Sequence, residues 1–220
     1  MSRSVTQRSR LFRLMIRVRR RLVSKEQTGG PMRFSFLILL AALIAGLPVR
    51  ADTMTCTTLV EHTDADTQNP WQTVNDNVMG GRSSGGSSLQ DGALVFAGST
   101  NTNGGGFSSI RLDVPRGAMA GAQELRVHMK RDARAYSITV RTNARSFGRR
   151  IAFRGPIEGA PEGEWGTGVL NLSNLEASIW GRKLPNAVFD ASEVVEIGLI
   201  IYDGEDGPFE MQLSRIEACS

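Results

Sequence analysis

The sequence predicts an all-β fold, an antiparallel two-sheet β-sandwich of the jelly-roll type. Apolar and polar residues alternate with a period of two in several segments, which is typical of strands with one buried face. Clusters of Gly, Asn, Asp and Pro separate these segments, and no stretch of ten residues keeps an amphipathic helical pattern. Two packed sheets are the architecture that buries such half-apolar strands.

The strands follow one another along the chain at these alternating segments. The segment 194–202 (VVEIGLIIY) is apolar on both faces, so we expect it to be a central strand. Four other segments alternate and predict strands with one solvated face: 109–114, 125–130, 136–141 and 209–214.

The net charge of the chain has opposite signs in its two parts. The 220 residues contain 26 Lys and Arg against 22 Asp and Glu. Residues 1–51 hold 11 of these basic residues and one acid, Glu26, so residues 52–220 carry 15 basic and 21 acidic side chains, a net charge of −6. An acidic body does not favour nucleic acid as a partner.

Residues 34–47 form an apolar run of 14 residues. A membrane-spanning helix needs about 20. The run follows Met32-Arg33 and precedes small residues, as in a secretory signal peptide cleaved after Ala51. We therefore expect a leader over 1–51, with Met32 as the true start, a lead-in over 52–70 and the sandwich over 71–220.

This leader predicts a location outside the cytoplasm, periplasmic or secreted, with membrane contact only through the leader itself. Two alternatives stay open. The segment 2–22 is rich in Arg and Ser and has no acid, as in a mitochondrial transit peptide. The apolar run could also remain as an uncleaved anchor.

The body contains two cysteines, Cys56 and Cys219, one near each of its ends. An even number of cysteines in an oxidising compartment predicts one disulfide. Two separate buried thiols are the alternative. The chain has no CxxC motif and only two isolated His, so we expect no metal site and no cofactor.

Three motifs are typical of catalytic, phosphate-binding or calcium sites, but the residues around each motif argue against such a site. Residues 81–85 match G-x-S-x-G, but the following GGSSLQDG cannot begin a helix. The same loop resembles a P-loop, with Gly86 where the phosphate-binding Lys is required. Residues 203–207 (DGEDG) could hold calcium, although an acidic turn between strands explains them better. We expect no enzyme.

The most informative segment is 71–85 (WQTVNDNVMGGRSSG). Asn, Asp and paired Gly tolerate positive φ, which predicts a tight, structured turn. We expect Met79 to point back into the sandwich beside Trp71, and the side chain of Asp76 to cap backbone N–H groups. The rival interpretation is that Asn75 and Asp76 face a ligand or partner.

A second segment, Phe96-Ala97-Gly98 followed by 101–107 (NTNGGGF), completes a pattern. Together the two segments resemble the complex I intermediate-associated protein 30 family, whose signature is Trp, Asn-Asp-x-Val-Met-Gly-Gly-x-Ser, Phe-x-Gly and Asn-x-Gly-Gly-Phe. The resemblance covers about 71–216. It departs from the family at 131–134, where Arg-Asp-Ala-Arg replaces Gly-Asp-Gly-Arg.

The resemblance implies a galactose-binding-like jelly roll, in agreement with the periodicity. It also implies a chaperone for assembly of the membrane arm of respiratory complex I, without catalysis. Two functions therefore stay open: a protein-binding assembly factor, with a protein partner, and a jelly-roll module that binds carbohydrate or another small ligand.

Sugar sites combine an aromatic platform with amide and carboxylate groups, and the three Trp of the chain could supply it. The alternative for each Trp is a plug that seals the end of the core. The candidate binding residues are Trp71, Asn75, Asp76, Asn103, Trp165 and Trp180. The residues expected to build the structured turns are Met79, Gly80, Gly81, Gly104, Gly105 and Phe107.

Overall fold

The computed structural model describes residues 54–220, which form two antiparallel sheets packed face to face. In chain order the strands are β1 Cys56–Glu61, β2 Gln72–Asn75, β3 Ser84–Gln90, β4 Ala93–Thr100, β5 Ser108–Asp113, β6 Glu124–Arg131, β7 Tyr136–Ser146, β8 Arg149–Pro156, β9 Gly166–Asn171, β10 Glu176–Ile179, β11 Arg182–Lys183, β12 Val194–Ile201 and β13 Gly207–Cys219. The helical elements in the described residues are two short 3₁₀ turns, Asp76–Met79 and Ala191–Glu193.

Sheet A has the strand order β3-β4-β13-β6-β9, and β1 also pairs with β13. Strand β13 is long enough to pair with β4 through residues 207–213 and with β1 through residues 215–219. The segment 52–70, expected as a lead-in, therefore contains a strand of the sandwich. Sheet B has the order β11-β10-β8-β7-β12-β5-β2, with β12 inside the sheet. The all-β prediction and the central position of 194–201 are confirmed.

The core lies between the sheets and is built from the apolar residues of the alternating segments. Leu125, Val127 and Met129 of β6 are fully buried, while the residues between them face solvent or are half-buried. Phe96 and Phe209 pack across sheet A with ring centroids 4.9 Å apart. The period of two thus identified the buried face correctly.

A disulfide joins Cys56 and Cys219, as the sequence predicts. The two residues are directly paired between β1 and β13, with their Cα atoms 4.1 Å apart. The bond links positions separated by 163 residues. Closing so long a loop in the unfolded chain stabilises the fold by about 4–5 kcal/mol in the entropic account.

Three hairpins use the same two-residue turn. Asp91-Gly92 joins β3 to β4, Phe147-Gly148 joins β7 to β8, and Trp180-Gly181 joins β10 to β11. The first residue of each turn has φ of 48° or 49°, and each Gly has φ between 71° and 75°. These values define the type I′ turn, which favours Asn, Asp or Gly at its first position.

The leader, its cleavage after Ala51, the start at Met32 and the boundary at 51 lie outside the described residues. Within residues 54–220, no helix is long and apolar enough to cross a membrane.

Candidate functional site

Two loops at one end of the sandwich are held together by the side chain of Asp76. Its carboxylate is fully buried and accepts hydrogen bonds from the Ser83 hydroxyl at 2.5 Å and the Ser83 N–H at 2.8 Å. It also accepts hydrogen bonds from the N–H groups of Gly106 at 2.6 Å and Phe107 at 3.3 Å. The loop 76–83 is thereby fastened to the loop 101–107.

The glycines of this region make room for the carboxylate. A Cβ added at Gly81 or Gly105 would overlap the side chain of Asp76. Gly80 ends the 3₁₀ turn with φ of 88°, in the left-handed region that glycine adopts without strain. Gly104 lies against Gly80, and its own φ is 85°. The pairs Gly80-Gly81 and Gly104-Gly105 are therefore needed for the two loops to pack around Asp76.

The pKa of Asp76 lies below its usual value. Burial raises the pKa, but the hydrogen bonds from Gly106, Ser83 and Phe107 lower it by more, because each of them favours the charged form. The carboxylate is an anion held by neutral donors. It has no exposed surface and therefore cannot contact a ligand or partner directly.

The side chain of Asn75 is also hydrogen-bonded within the fold. Its side-chain amide donates to the carbonyl of Gly85 at 3.1 Å, and its Oδ1 accepts from the Ser108 hydroxyl at 2.6 Å. Asn103 in the second loop is exposed, and its backbone N–H donates to Asn101 Oδ1 at 3.0 Å. Among the candidate binding residues in these loops, Asn103 is the one that faces solvent.

The expectation that Met79 points into the sandwich is wrong. Met79 is 62% exposed and its neighbour Val78 is 68% exposed. Asp76 occupies the inner side of the 3₁₀ turn, so the residues two and three positions later are turned outward. The turn therefore exposes two apolar side chains to solvent, on a backbone that the hydrogen bonds of Asp76 hold in place.

Ser83, the central residue of the G-x-S-x-G match, is buried against Asp76. Its hydroxyl donates to Asp76 and accepts from the N–H of Asn101 at 2.9 Å. This hydroxyl closes the turn and is not available as a nucleophile.

Trp71 is buried and belongs to the core. Its indole Nε1 donates to His62 Nε2 at 3.2 Å, and His62 Nδ1 lies 3.3 Å from Asp66 Oδ2. Of the two interpretations of Trp71, the structure shows the plug. The sequence did not indicate His62, because an isolated His carries no sign of its partner.

Trp165 lies on the outer face of sheet A. It is 42% exposed and stacks on His128, with ring centroids 5.3 Å apart. The pair borders a depression of about 350 Å³, whose other lining residues are Asp91, Gly92, Ala93 and Ser214. Trp165 therefore does not seal the core. It stacks instead on His128, which lies on the polar face of β6.

Trp180 is at the tip of the β10–β11 hairpin and is 74% exposed. The guanidinium of Arg149 lies 5.2 Å from the centroid of its ring. Trp180 is not a core plug either. The three Trp do not form one platform, since one is buried, one lies on sheet A and one lies at the edge of sheet B.

The turn that departs from the family pattern contains a further network. Arg134 forms a two-pronged ion pair with Asp203, with Nε–Oδ2 at 2.7 Å and Nη2–Oδ1 at 2.8 Å. Its remaining N–H groups donate to Thr100 and to carbonyl oxygens of the 203–208 segment. Ala133 is not among the residues with positive φ, so the turn accepts Ala where the family pattern has Gly.

The carboxylates of Asp203 and Asp206 in the acidic loop 203–207 are engaged in contacts within the fold. The hydrogen bonds from Arg134 lower the pKa of Asp203, and burial opposes them. Asp206 Oδ1 accepts from the N–H of Thr102 at 2.6 Å. The described residues contain no cluster of three or more acidic, His or Cys side chains placed to hold a metal. The loop therefore connects Arg134 and Thr102 through its two carboxylates.

The outer face of sheet B carries alternating charges that no sequence motif indicates. Glu196 lies between Arg141, with which it is hydrogen-bonded, and Arg111. Near the Asp76 end, the guanidinium of Arg154 lies 5.2 Å from the ring of exposed Tyr202. Because the partners in each of the three pairs come from segments far apart in sequence, only the pairing of the strands brings them together.

The family model of complex I intermediate-associated protein 30 matches residues 60–213. The chain matches no curated protein. Among solved structures, it is similar to a family 11 carbohydrate-binding module from Clostridium thermocellum in complex with a beta-1,3-1,4-mixed-linked tetrasaccharide. The TM-score is 0.54 at 13% identity, over 74% of this chain and 94% of that chain.

A second similar structure is the family 11 carbohydrate-binding module of the cellulosomal cellulase Lic26A-Cel5E of Clostridium thermocellum. The TM-score is 0.53 at 13% identity, over 73% of this chain and 93% of that chain. At this identity the likeness shows a shared β-sandwich fold.

Proposed function

This chain belongs to the complex I intermediate-associated protein 30 family, and we propose that it is a protein-binding assembly factor that acts outside the cytoplasm. Its partner is a subunit of a membrane or respiratory complex, of the kind that the family name indicates. The protein performs no chemistry on that partner and works by holding an apolar surface of it.

The observation that carries this proposal is the exposure of Val78 and Met79 on the turn held by Asp76. The contacts of Asp76, Gly80 and Gly81 explain why those residues are needed for folding. No contact among residues 54–220 explains two neighbouring apolar side chains in solvent.

An apolar pair on a fixed turn is well suited to bind a protein. Its backbone is already ordered, so binding costs little conformational entropy. The flexible thioether of Met adapts to the shape of an apolar surface. Neither Val78 nor Met79 supplies the aromatic platform expected of a sugar site.

The disulfide supports the extracytoplasmic location. Cys56 and Cys219 are bonded in the fold, and such bonds persist in oxidising compartments and are rare in the cytosol. On this proposal the leader is removed near Ala51. The intact mass of the protein isolated from its native compartment tests the cleavage, and a mass that includes residues 1–31 contradicts it.

The double variant Val78→Ser/Met79→Ser tests the assembly function. In cells that lack the native protein, it should fold normally and fail to restore complex I, measured as NADH dehydrogenase activity in native gels. Val188→Ser removes another exposed apolar side chain and is the matched control. Full restoration by the double variant contradicts the proposed surface, and normal complex I in cells without the protein contradicts the assembly function.

The second candidate function is glycan binding, and the stacked pair Trp165 and His128 beside a depression favours it. The depression also offers the carboxylate of Asp91, so a ring face and a hydrogen-bond acceptor lie together. A glycan array with the native protein and with Trp165→Ala tests this function. Binding that disappears in Trp165→Ala and persists in Trp180→Ala supports it, and the absence of any bound glycan contradicts it.

A further inference from the structure

Two hairpin tips at one end of sheet B each present a large aromatic side chain to solvent. Phe147 is 83% exposed and Trp180 is 74% exposed. Both residues have φ near +48°. Bulky residues rarely adopt this left-handed conformation, because the Cβ comes too close to the backbone.

The third hairpin of the same type provides an internal comparison. Its turn has the same φ at its first residue and uses Asp91, one of the residues that type I′ turns favour. The backbone geometry alone therefore requires neither Phe147 nor Trp180. Both aromatic residues are exposed and in an unfavourable conformation, which indicates that they serve a contact outside the fold.

The two tips form one surface. Strands β8 and β10 are paired, with Ala152 opposite Ser178, and both hairpins extend beyond this pairing in the same direction. The guanidinium of Arg149, next to the Phe147-Gly148 turn, lies over the ring of Trp180. The aromatic tip patch consists of Phe147 and Trp180 with five surrounding cations: Arg145, Arg149, Arg150, Arg182 and Lys183.

The charge of this patch is opposite to that of the body. Residues 143–152 and 178–188 contain these five basic residues and no Asp or Glu, whereas residues 52–220 have a net charge of −6. Lys183 pairs with Glu176 at the base of its hairpin. The other four cations have no acidic partner among the described residues.

We infer that the aromatic tip patch binds the anionic surface of a lipid bilayer, with Phe147 and Trp180 inserted at the level of the headgroups. Trp is the side chain that prefers this interface, since its ring is apolar and its N–H is polar. Neighbouring Arg and Lys are attracted to anionic lipids. The acidic remainder of the body is repelled by the same lipids, so the contact is confined to the tips.

The shape and contacts of the patch favour a bilayer over other anionic or apolar partners. Convex tips offer no groove for a nucleic acid strand. Residues 143–152 and 178–188 contain no Asp or Glu, so these two hairpins lack the carboxylate that sugar sites combine with an aromatic platform. Binding through the tips would be a second route to a membrane, besides the leader that the sequence predicts.

The patch lies at the opposite end of sheet B from the Asp76 turn. Strand β7 begins at Tyr136, which pairs with Ile201, and Ile201 in turn pairs with Ser108 beside Asn75. The same strand ends at Ser146, next to Phe147. A protein bound through its tips would therefore direct Val78 and Met79 away from the lipid surface.

Quenching of Trp fluorescence by brominated lipids tests this inference in the full chain with a local readout. Vesicles of brominated phosphatidylcholine containing phosphatidylglycerol should quench the emission, and Trp180→Asn should remove the quenched component. Trp165→Phe should retain it, because Trp165 lies on the other sheet. The leader could bind every variant to the vesicles, so binding of the chain does not test the inference. The deciding observation is whether brominated lipid quenches Trp180 itself.

Phe147→Asn should reduce the quenching of Trp180 while the melting temperature stays equal or rises, because Asn accepts positive φ. Arg145→Gln and Arg182→Gln should each weaken partitioning about fivefold on anionic vesicles. Equal quenching on neutral and anionic vesicles, or no quenching of Trp180, overturns the inference. Trp180 emission that responds to single-stranded nucleic acid and not to vesicles also overturns it.

Discussion

The carboxylate of Asp76 accepts a hydrogen bond of 2.6 Å from the N–H of Gly106, 30 residues further along the chain. This bond joins the first loop of the family signature to the second. Each loop has one glycine, Gly81 or Gly105, where a side chain would overlap Asp76. The Asn-Asp-x-Val-Met-Gly-Gly-x-Ser and Asn-x-Gly-Gly-Phe elements of the signature therefore surround one buried anion.

Asp76→Ala should lower the free energy of unfolding by roughly 3 kcal/mol or more, because it leaves several buried donors without an acceptor. Urea denaturation measures the loss. Asp113→Ala removes an exposed carboxylate from β5 and should change stability by less than about 0.5 kcal/mol. An unchanged stability of Asp76→Ala together with lost partner binding would show that Asp76 acts in recognition.

The depressed pKa of Asp76 predicts a loss of stability in acid. Because its pKa is lower in the folded state than in the unfolded state, the unfolded chain binds more protons in this range, and stability rises with pH. The contribution is complete above about pH 4, the ordinary value for Asp, and disappears as the pH falls through the folded pKa.

Asp203 contributes with the same sign. Melting temperatures measured between neutral pH and pH 2 should therefore fall less steeply for Asp76→Asn and for Asp203→Asn than for the native protein. Parallel pH profiles for all three proteins would contradict this account.

Gly81→Ala and Gly105→Ala should each destabilise the protein by about 1–3 kcal/mol, as overpacking does. The added methyl group would occupy the space of the Asp76 side chain. Gly86→Ala is the matched control, since a Cβ there would meet Thr73 Oγ1 at an ordinary 3.6 Å. Thermal denaturation compares the three variants, and equal melting temperatures would show that the turn can adjust.

Removal of the disulfide by Cys56→Ser/Cys219→Ser should cost about 2–5 kcal/mol. The bond holds β1 against the last residues of β13, where the chain would otherwise be free to fray. Chemical denaturation of the double variant and of the native protein measures the difference. Reduced native protein should match the double variant, and a native protein that is insensitive to reductant contradicts the prediction.

Much of the fold could be predicted because strand periodicity and turn chemistry are local. Alternation in 125–130 identified the buried face of β6, and the double apolar face of 194–202 identified an interior strand. The disulfide was predicted from the even number of cysteines and from the oxidising compartment that the leader predicts. The prediction for Met79 is wrong because the carboxylate of Asp76 fills the interior of the turn, so the apolar side chain of Met79 lies outside it.

By itself, the sequence determined the all-β class, the family and the chemical need for Asp and Gly in the signature turns. Only the tertiary structure decided which Trp is buried, that Arg134 clasps Asp203, and that Phe147 and Trp180 share one end of sheet B. These relationships depend on strand register, which places residues far apart in sequence side by side. Register is set by the packing of the whole sandwich, so no local pattern contains it.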